Sequence, residues 1–431
     1  MALTDKWLFV LSRYSRRMWF RASLYGLLGI VTALLGVAAK PLIPPGLAGS
    51  IGAGSVGNIL GILATSMLAV TTFSLATMVS AYGAASSTAT PRAAKLLIED
   101  TTAQGALATF IGAFLFSIVG LIALSAGIYG DSGRVLLLAA TIAVIVLITV
   151  TLLRWIEQLS RFGRVAETIN LVETATRRAM QHRARKPWLG GAPWQAPPED
   201  AVAVESTQVG YIEYIDMAQL GQFSDEHDVD IHLDVLPGSF AVPGRPLARI
   251  SADLDDPDAE AFRKAFVVGD SRTFENDPRY GLVVLTEIAV RALSPAVNDP
   301  GTAIDVIGTV VRLLTGWARG RASKEDEVEV SHSRVFVPAL READMFEDVF
   351  PAIARDGAGM REIGIRLQKA FAALDDLGFV HFEDPIREQA SAACQRALAA
   401  MDFEPDRAAV LEASRPRLVG DVLPAQARKP A

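Results

Sequence analysis

Residues 228–235 carry the pattern in this sequence that comes closest to metal chemistry. Every second position holds a carboxylate or an imidazole: Asp228, Asp230, His232 and Asp234. Apolar residues fill the positions between them, as in a strand with one buried and one solvated face. Such side chains suit divalent cations, and an Asp-Glu-His run lies just upstream. Residues on one face of a strand are about 6.6 Å apart, however, too far for most pairs to share an ion. We therefore expect a solvated strand face and assign no metal ligand, with a metal ion as the open alternative.

A second group of polar side chains lies between residues 272 and 299. Its members are Arg272, Asp277, Glu287, Arg291, Asn298 and Asp299. Residues 281–293 have a helical pattern, the following Ser-Pro and Asn-Asp-Pro-Gly sequences predict a turn, and Thr302 with Asp305 predicts a capping box on the next helix. One interpretation is a helix–turn–helix corner held by side chain–backbone hydrogen bonds. The other is a site for a small ligand or a neighbouring subunit.

Nothing in the sequence marks a nucleophile beside a general base. The polar group at residues 272–299 contains no histidine, and the five histidines form no zinc-binding pattern with cysteine. The single cysteine, Cys394, is expected to pack inside a helix. We therefore expect no enzyme, no catalytic residue and no bound cofactor.

Hydroxyl side chains are concentrated in one long apolar stretch, residues 58–83. The candidates are Thr65, Ser66, Thr72, Ser74, Thr77 and Ser80. In a membrane helix, small hydroxyl residues allow close approach to a second helix and can hydrogen-bond across the contact. They can also line a polar pathway and replace part of a solute's hydration. The sequence leaves both interpretations open and favours packing.

Four apolar stretches without charged residues or histidine occupy the first third of the chain, at residues 22–39, 58–83, 103–129 and 135–153. Each reaches or nearly reaches the length of about 20 residues that spans a bilayer as a helix. Basic residues flank them on the sides that place both termini in the cytoplasm, whereas residues 187–431 are acidic in balance. We predict a multi-pass membrane protein whose cytoplasmic part binds no nucleic acid. A cleaved signal within residues 1–39 is an alternative for the first stretch.

The remainder predicts a cytoplasmic α+β region. The pattern of residues 155–181 continues as a juxtamembrane helix, and the prolines of residues 187–200 predict a linker. Gly-rich half-motifs at residues 210–216 and 236–250 resemble a barrel-sandwich β module, but no lysine lies in residues 187–263 to carry a biotinyl or lipoyl group. A strand pair at 327–337 and helices at 341–354, 360–377 and 386–401 follow. The predicted domains are a four-helix transmembrane domain (1–156), a juxtamembrane helix and linker (157–200), a barrel-sandwich-like module (201–260), a helical or α+β domain (261–417) and a disordered tail (418–431).

Five stretches of the sequence are distinctive when they are taken together. They are Ser-Thr-Ala-Thr-Pro-Arg at 87–92 with Asp100 and Gln104, Gly-Tyr-Ile-x-x-Ile-Asp at 210–216, Pro-Gly-Ser-Phe-x-Val-x-Gly-x-Pro-Leu at 237–247, Arg-Thr-x-x-x-Asp at 272–277 and Ala-Leu-Ser-Pro-x-x-Asn-Asp-Pro-x-Thr-Ala at 292–303. Together they resemble the bacterial predicted membrane protein family known as domain of unknown function 2254. The likeness runs from about residue 15 to about residue 400. This sequence departs from the family pattern at Thr90, where a serine is usual, and at Gly301, where an aromatic residue is usual. The resemblance implies a multi-pass protein of the bacterial inner membrane and no particular activity.

Two functions of different classes follow from these patterns. The first is a homo-oligomeric, channel-like protein that conducts a small solute or ion, with the second span lining the path and the cytoplasmic region regulating it. The absence of charged residues within the spans argues against a coupled transporter. The second is a membrane-anchored sensor or scaffold whose cytoplasmic region binds a ligand or partner.

Overall fold

A computed structural model describes residues 18–38, 53–98, 100–129, 131–251, 256–322 and 329–420. The described chain divides into two compact units. We call residues 18–87 and 91–168 the helical unit, and residues 88–90 and 169–420 the mixed unit.

Long apolar helices make up the helical unit. They are α1 (Met18–Ala38), α2 (Ala53–Thr88), the short α3 (Pro91–Ile98), α4 (Thr101–Ser125), α5 (Asp131–Arg161) and the beginning of α6 (Val165–Arg185). Three of them contain stretches long and apolar enough to cross a membrane: Ser55–Thr88, Thr101–Ser125 and Gly133–Arg161. In α1 only the shorter segment Ala22–Thr32 qualifies as an apolar helix, so the fourth span remains a prediction.

Helices α1 and α4 approach each other closely through glycine. A Cβ atom at Gly29 would lie 2.4 Å from the carbonyl oxygen of Gly112, and one at Gly112 would lie 2.8 Å from that of Tyr25. Since any larger side chain would force the helices apart, this contact is of the small-residue kind that joins helices in membranes.

Helices α2, α4 and α5 pack through larger side chains. Met67 and Met78 of α2 share one buried cluster with Phe110 of α4 and Trp155 of α5. Within it, the Trp155 indole Nε1 donates a hydrogen bond of 2.9 Å to the Ser74 hydroxyl, and both residues are buried. A buried indole N–H requires an acceptor, and Ser74 supplies it.

The helix predicted across residues 155–181 is wrong in one respect, because α5 and α6 are separate. Helix α5 ends at Arg161 and α6 begins at Val165. Between them Gly163 has φ +79°, a left-handed conformation that glycine adopts without steric cost and that commonly ends a helix.

Two small sheets form the β part of the mixed unit. The strands are β1 (Gly191–Pro193), β2 (Val202–Glu205), β3 (Gly210–Ile215), β4 (Ile231–Leu233), β5 (Phe240–Ala241), β6 (Pro246–Ile250), β7 (Phe266–Gly269) and β8 (His332–Val337). The larger sheet has the order β1-β8-β4-β6-β2, and the smaller has the order β5-β3-β7. Strand β8 pairs in parallel with β1 and β4, and the other pairs are antiparallel.

This topology leaves the barrel-sandwich prediction unconfirmed. The strands between residues 201 and 260 are divided between the two sheets, and each sheet also contains strands from outside that range. The linker predicted at residues 187–200 is wrong in part, because Gly191 and Ala192 are buried in β1 beside β8.

Helices complete the mixed unit. They are α7 (Met217–His227), α8 (Asp256–Arg263), α9 (Pro278–Ala292), α10 (Pro300–Ala322), α11 (Glu342–Asp356), α12 (Arg361–Asp375), α13 (Glu383–Ala400), α14 (Glu404–Ala413) and α15 (Pro416–Val419). The three helices expected at 341–354, 360–377 and 386–401 are confirmed as α11, α12 and α13. Cys394 is buried within α13, as expected for a packing residue.

Three local predictions need correction. Thr302 does not cap α10: the helix begins at Pro300, and the Asp299 carboxylate accepts from the Thr302 N–H at 3.1 Å and its hydroxyl at 2.6 Å. In place of the strand pair at 327–337, the described residues contain the single strand β8, and residues 323–328 lie outside them. The disorder expected from residue 418 is wrong for Leu418 and Val419, which are buried in α15, and residues 421–431 lie outside the described residues.

Candidate functional site

An open cavity of about 390 Å³ lies within the mixed unit, where several polar side chains converge. This volume is in the range of small-molecule sites in proteins. The lining residues come from the end of α6 and the turn after it, from β3 and the first turn of α7, from two loops, and from the start of β8. They are His182, Lys186, Leu189, Gly190, Tyr214, Ile215, Met217, Ala218, Pro237, Asn276, Ser331 and His332.

The turn after α6 is tied by hydrogen bonds to the strand opposite. Leu189 and Gly190 have φ +57° and +93°, and Leu189 is one of only three non-glycine residues with positive φ among the described residues. The Gly190 carbonyl accepts the backbone N–H groups of Ser331 at 2.8 Å and His332 at 3.0 Å. A strained left-handed leucine is tolerated where the surroundings fix the backbone, and here it brings Lys186 and His332 to one cavity.

The His332 imidazole rests directly on α7. A Cβ atom at Gly221 would lie 2.2 Å from His332 Nδ1, so only glycine leaves room for the ring. This contact orients the ring beside the first turn of α7, where Met217 and Ala218 also line the cavity.

The loop that contributes Asn276 contains an ion pair, and the loop that contributes Pro237 packs against it. The Arg272 guanidinium donates two hydrogen bonds to Asp277, of 2.6 and 3.1 Å, and the Asp277 side chain is 3% exposed. Asp277 also caps α9 by accepting the N–H groups of Arg279 and Tyr280. Gly238 packs against it so closely that a Cβ atom there would lie 2.2 Å from Asp277 Oδ2. Asn276 is held by its own hydrogen bond of 3.1 Å to the Glu213 carbonyl.

Positive charge surrounds the α6 side of the cavity. Burial and the charges of Lys186, Arg183 and Arg185 lower the pKa of His182. Burial also lowers the pKa of His332, assisted by Lys186 and opposed by Asp225 and Asp216. Both imidazoles are therefore neutral at pH 7, and each can donate one hydrogen bond and accept another. No carboxylate is among the lining residues.

Arg183, the neighbour of His182, is buried without a hydrogen-bond partner for its Nη1 and Nη2 atoms among the described residues. Burial lowers its pKa to about 10, and the charge of Asp277 opposes the shift. The guanidinium therefore stays charged at neutral pH.

A family model described as predicted membrane protein (DUF2254) matches residues 15–373. The chain belongs to the DUF2254 family. An uncharacterized protein of Mycobacterium tuberculosis strain CDC 1551 is 32% identical over 120 residues, which is 26% of this chain and 23% of that protein. An uncharacterized protein of Mycobacterium bovis is 31% identical with the same coverage. The matched stretch thus spans less than a quarter of these relatives, and no solved structure matches. The family assignment agrees with the resemblance noted in the sequence, and it describes a membrane protein of unknown function.

In this DUF2254 protein the six polar residues predicted between 272 and 299 do not form one group. Arg272 and Asp277 adjoin at the start of α9, behind the cavity wall. Glu287 and Arg291 lie along α9, and Asn298 and Asp299 follow its end. Because α9 has 15 residues, its two ends are about 22 Å apart. A ligand-binding or subunit-binding role for these residues stays a prediction.

The strand predicted at residues 228–235 is shorter than expected, because only Ile231–Leu233 forms β4, and the acidic residues beside it make ion pairs. Asp228 and Asp230 accept from Arg334 of β8 at 2.5 and 2.8 Å, and Asp234 lies 3.3 Å from Arg249 of β6. The alternation is wrong for His232, which is buried, stacks on Phe336 and contacts the Gln195 carbonyl at 3.0 Å. The Gln195 carbonyl and the Phe336 ring cover this face only at His232, whereas Asp228 and Asp234 are exposed and Asp230 is half-buried. The described residues contain no group of three His, Cys, Asp or Glu placed to hold a metal ion.

The hydroxyls of α2 divide into two sets. Ser74 is buried and accepts from Trp155. Thr65, Thr72 and Thr77 each donate to the backbone carbonyl four residues earlier in the same helix. Thr65, Ser66, Thr72 and Ser80 are exposed on the isolated chain and lie on an arc of about 120°, opposite the side that carries Leu60, Met67 and Met78.

Sequence patterns did not single out the residues that line the cavity. His182 and Lys186 belong to a basic run that is ordinary beside a membrane span, and Ser331 and His332 lie more than a hundred residues away. One signal was available in the glycines. Gly190, which lines the cavity, and Gly238, which follows the lining residue Pro237, lie in the segments 187–200 and 236–250 that the sequence had already marked.

Proposed function

We propose that this DUF2254 protein is a multi-pass protein of the bacterial inner membrane, with four spans and both termini in the cytoplasm, that acts as a membrane-anchored sensor. In this proposal the mixed unit binds a small ligand in the cavity bounded by Lys186, His182 and His332. The observation that carries the proposal is the cavity itself, since a solvent-open pocket of about 390 Å³ with convergent polar groups is the usual form of a ligand site.

The proposal is one of binding rather than catalysis. The cavity lining offers hydrogen-bond donors beside apolar surface, which is what binding of a small ligand needs. The acidic balance of residues 187–431 also favours a small ligand over nucleic acid as the partner.

A cavity-blocking substitution tests this proposal. Full-length protein in detergent is screened against neutral, cationic and anionic metabolites by thermal shift, since a ligand that binds the folded state raises its melting temperature. We expect stabilising compounds to lose their effect in Ser331→Trp, which fills the mouth of the cavity. The control is Ser333→Trp, an exposed position on β8 that does not line the cavity. Equal stabilisation of both variants by every active compound would exclude the cavity as the site.

A homo-oligomeric pore is the second candidate, favoured by the exposed hydroxyls of α2. Small polar side chains on the outer face of a membrane helix are more favourable against another helix or an aqueous path than against lipid. The pore proposal therefore places the Thr65, Thr72 and Ser80 side of α2 against a second copy of the chain.

Cysteine crosslinking and conductance measurements separate the two functions. With Cys394 replaced by serine, Thr72→Cys should crosslink between copies in membranes, whereas Met67→Cys, on the packed side of α2, should not. Reconstituted protein should then conduct, and Thr72→Leu should change the conductance. Crosslinking with silent bilayers would support an oligomeric sensor instead, and no crosslink at Thr72 would remove the reason to propose a pore.

A further inference from the structure

We propose that the cavity of the mixed unit binds a small organic anion, a carboxylate or a phosphate ester, with its charged group between Lys186, His182 and His332. This inference rests on the proposed ligand-binding function and names the chemical class of the ligand.

The charges around the cavity favour an anion. Lys186 is the only charged side chain among the lining residues, and its ammonium group is positive. Arg183 and Arg185 lie near enough to act on His182, so the potential on that side is positive. Asp225 and Asp216 act on His332 from α7, but neither carboxylate lines the cavity. A cationic ligand would therefore find no carboxylate partner in the pocket, whereas an anion meets an ammonium group directly.

Hydrogen-bond donors are available on the same walls. Ser331 contributes a hydroxyl, and each neutral imidazole contributes one N–H. The first turn of α7 lines the cavity through Met217 and Ala218, and its backbone N–H groups add partial positive charge. The buried Asp216 carboxylate caps this turn and offsets part of that charge, so the main attraction comes from Lys186.

The size and the remaining lining indicate an organic ligand rather than a bare ion. The cavity of about 390 Å³ is several times larger than a phosphate or sulfate ion needs. Leu189, Ile215, Met217 and Pro237 offer apolar surface beside the polar end. A compound with an apolar body and one anionic group fits both parts of the lining. Its apolar body contacts the apolar side chains, and its anionic group contacts the polar end.

Calorimetric titration of the full-length protein in detergent tests the ligand class. The probes are inorganic phosphate, phenyl phosphate, benzoate and the neutral analogue benzyl alcohol. We expect phenyl phosphate to bind at least about tenfold more tightly than inorganic phosphate, and benzyl alcohol to bind weakest. Lys186→Gln should weaken phenyl phosphate about tenfold or more, since it removes a charge-assisted hydrogen bond. Lys264→Gln is the matched control, because its ammonium is exposed, forms an ion pair with Glu260 and does not line the cavity.

A second readout uses sulfate, whose charge is constant between about pH 5.5 and 8. Its affinity should increase as the pH falls, because an anion favours protonation of His182 and His332. The double variant His182→Asn/His332→Asn should lose most of this dependence while it remains folded. Circular dichroism confirms the fold of each variant.

The outcomes separate this inference from the proposed function. A neutral or cationic compound that binds the wild type, fails to bind Ser331→Trp and binds Lys186→Gln normally would retain the sensor function and exclude an anionic ligand. Equal weakening of phenyl phosphate by Lys186→Gln and Lys264→Gln would also exclude the proposed site, since only general charge would then matter. Tight binding of Zn²⁺ that requires both histidines would replace the anion with a metal ion.

Discussion

Replacing Gly238 by alanine should destabilise the mixed unit far more than the same change at another glycine of similar backbone conformation. Gly238 has φ +96°, and an added Cβ atom would lie 2.2 Å from Asp277 Oδ2. Gly378 has φ +62°, but nothing lies within 4 Å of its Cβ position. Both variants force an L-residue into a left-handed conformation, and only Gly238→Ala also displaces a buried carboxylate.

The size of the difference follows from these contacts. The left-handed conformation costs about 1–2 kcal/mol for either alanine. Moving the Asp277 carboxylate disturbs its two hydrogen bonds with Arg272 and its cap on α9, and losing one partner of a buried ion pair costs about 3–5 kcal/mol. Part of that cost is avoided if the loop shifts, so we expect a total of about 3–5 kcal/mol for Gly238→Ala and about 1–2 kcal/mol for Gly378→Ala. For a unit of this size, each kcal/mol corresponds to about 2–4 °C in melting temperature.

The assay is thermal unfolding of the full-length protein in one detergent, followed by intrinsic fluorescence at a fixed scan rate. A double-mutant cycle with Asp277→Ala isolates the contact: in that background Gly238→Ala should cost only its conformational part. If Gly238→Ala and Gly378→Ala lower the melting temperature equally, the Gly238–Asp277 contact does not exist in the protein. A coupling near zero in the cycle would contradict it independently.

Three further predictions concern other parts of the chain. Ser74→Ala leaves the buried Trp155 indole N–H without its acceptor and should lower the free energy of unfolding by about 1 kcal/mol. Thr72→Ala loses only a hydrogen bond within its own helix, so it should change the free energy of unfolding by less than about 0.5 kcal/mol. Both are measured in the same detergent-unfolding assay. Asp299→Ala removes both hydrogen bonds at the start of α10 and should cost about 1 kcal/mol, and Thr302→Val, which keeps the N–H bond, should cost less. The lowered pKa values of His182 and His332 mean that the unfolded chain binds more protons just below pH 6.5, so the melting temperature should fall as the pH drops below that value and level off above it. His182→Asn/His332→Asn should reduce this slope, and an unchanged slope would show that other groups cause it.

The membrane helices could be predicted because their signal is local. A run of some twenty uncharged residues is visible in any short window, so α2, α4 and α5 were found with bounds that differ from the structure by two to eight residues. The break at Gly163 was missed, because the apolar spacing of residues 155–181 continues through it and only the left-handed backbone shows the interruption. The start of α10 was also misplaced. Threonine and aspartate are both good helix caps, so the sequence alone does not decide between Thr302 and Asp299, and the backbone geometry does.

The cavity could not be predicted, because its residues become neighbours only through the sheet. Gly190 and Ser331 are far apart in the sequence, and the parallel pairing of β1 with β8 brings them together. His232 shows a different error, since the sequence pattern predicted a solvated side chain where the structure has a buried one. A period of two identifies the two faces of a strand, but whether both are covered depends on segments such as residues 194–196 that the pattern does not contain.

The balance of buried charges around Asp277 favours an anionic ligand in the cavity. The Asp277 carboxylate is the negative charge that faces three positive groups. These are the guanidiniums of Arg272 and Arg183 and the N-terminal end of α9. Burial lowers the pKa of Arg183 only to about 10, so this arginine keeps its charge at neutral pH although Asp277 is already bonded to Arg272. A net positive charge therefore remains beside His182, in a region where water screens it poorly. An anion in the adjoining cavity is the ligand that this charge stabilises, and replacing Arg183 by methionine should accordingly weaken anion binding without any direct contact to the ligand.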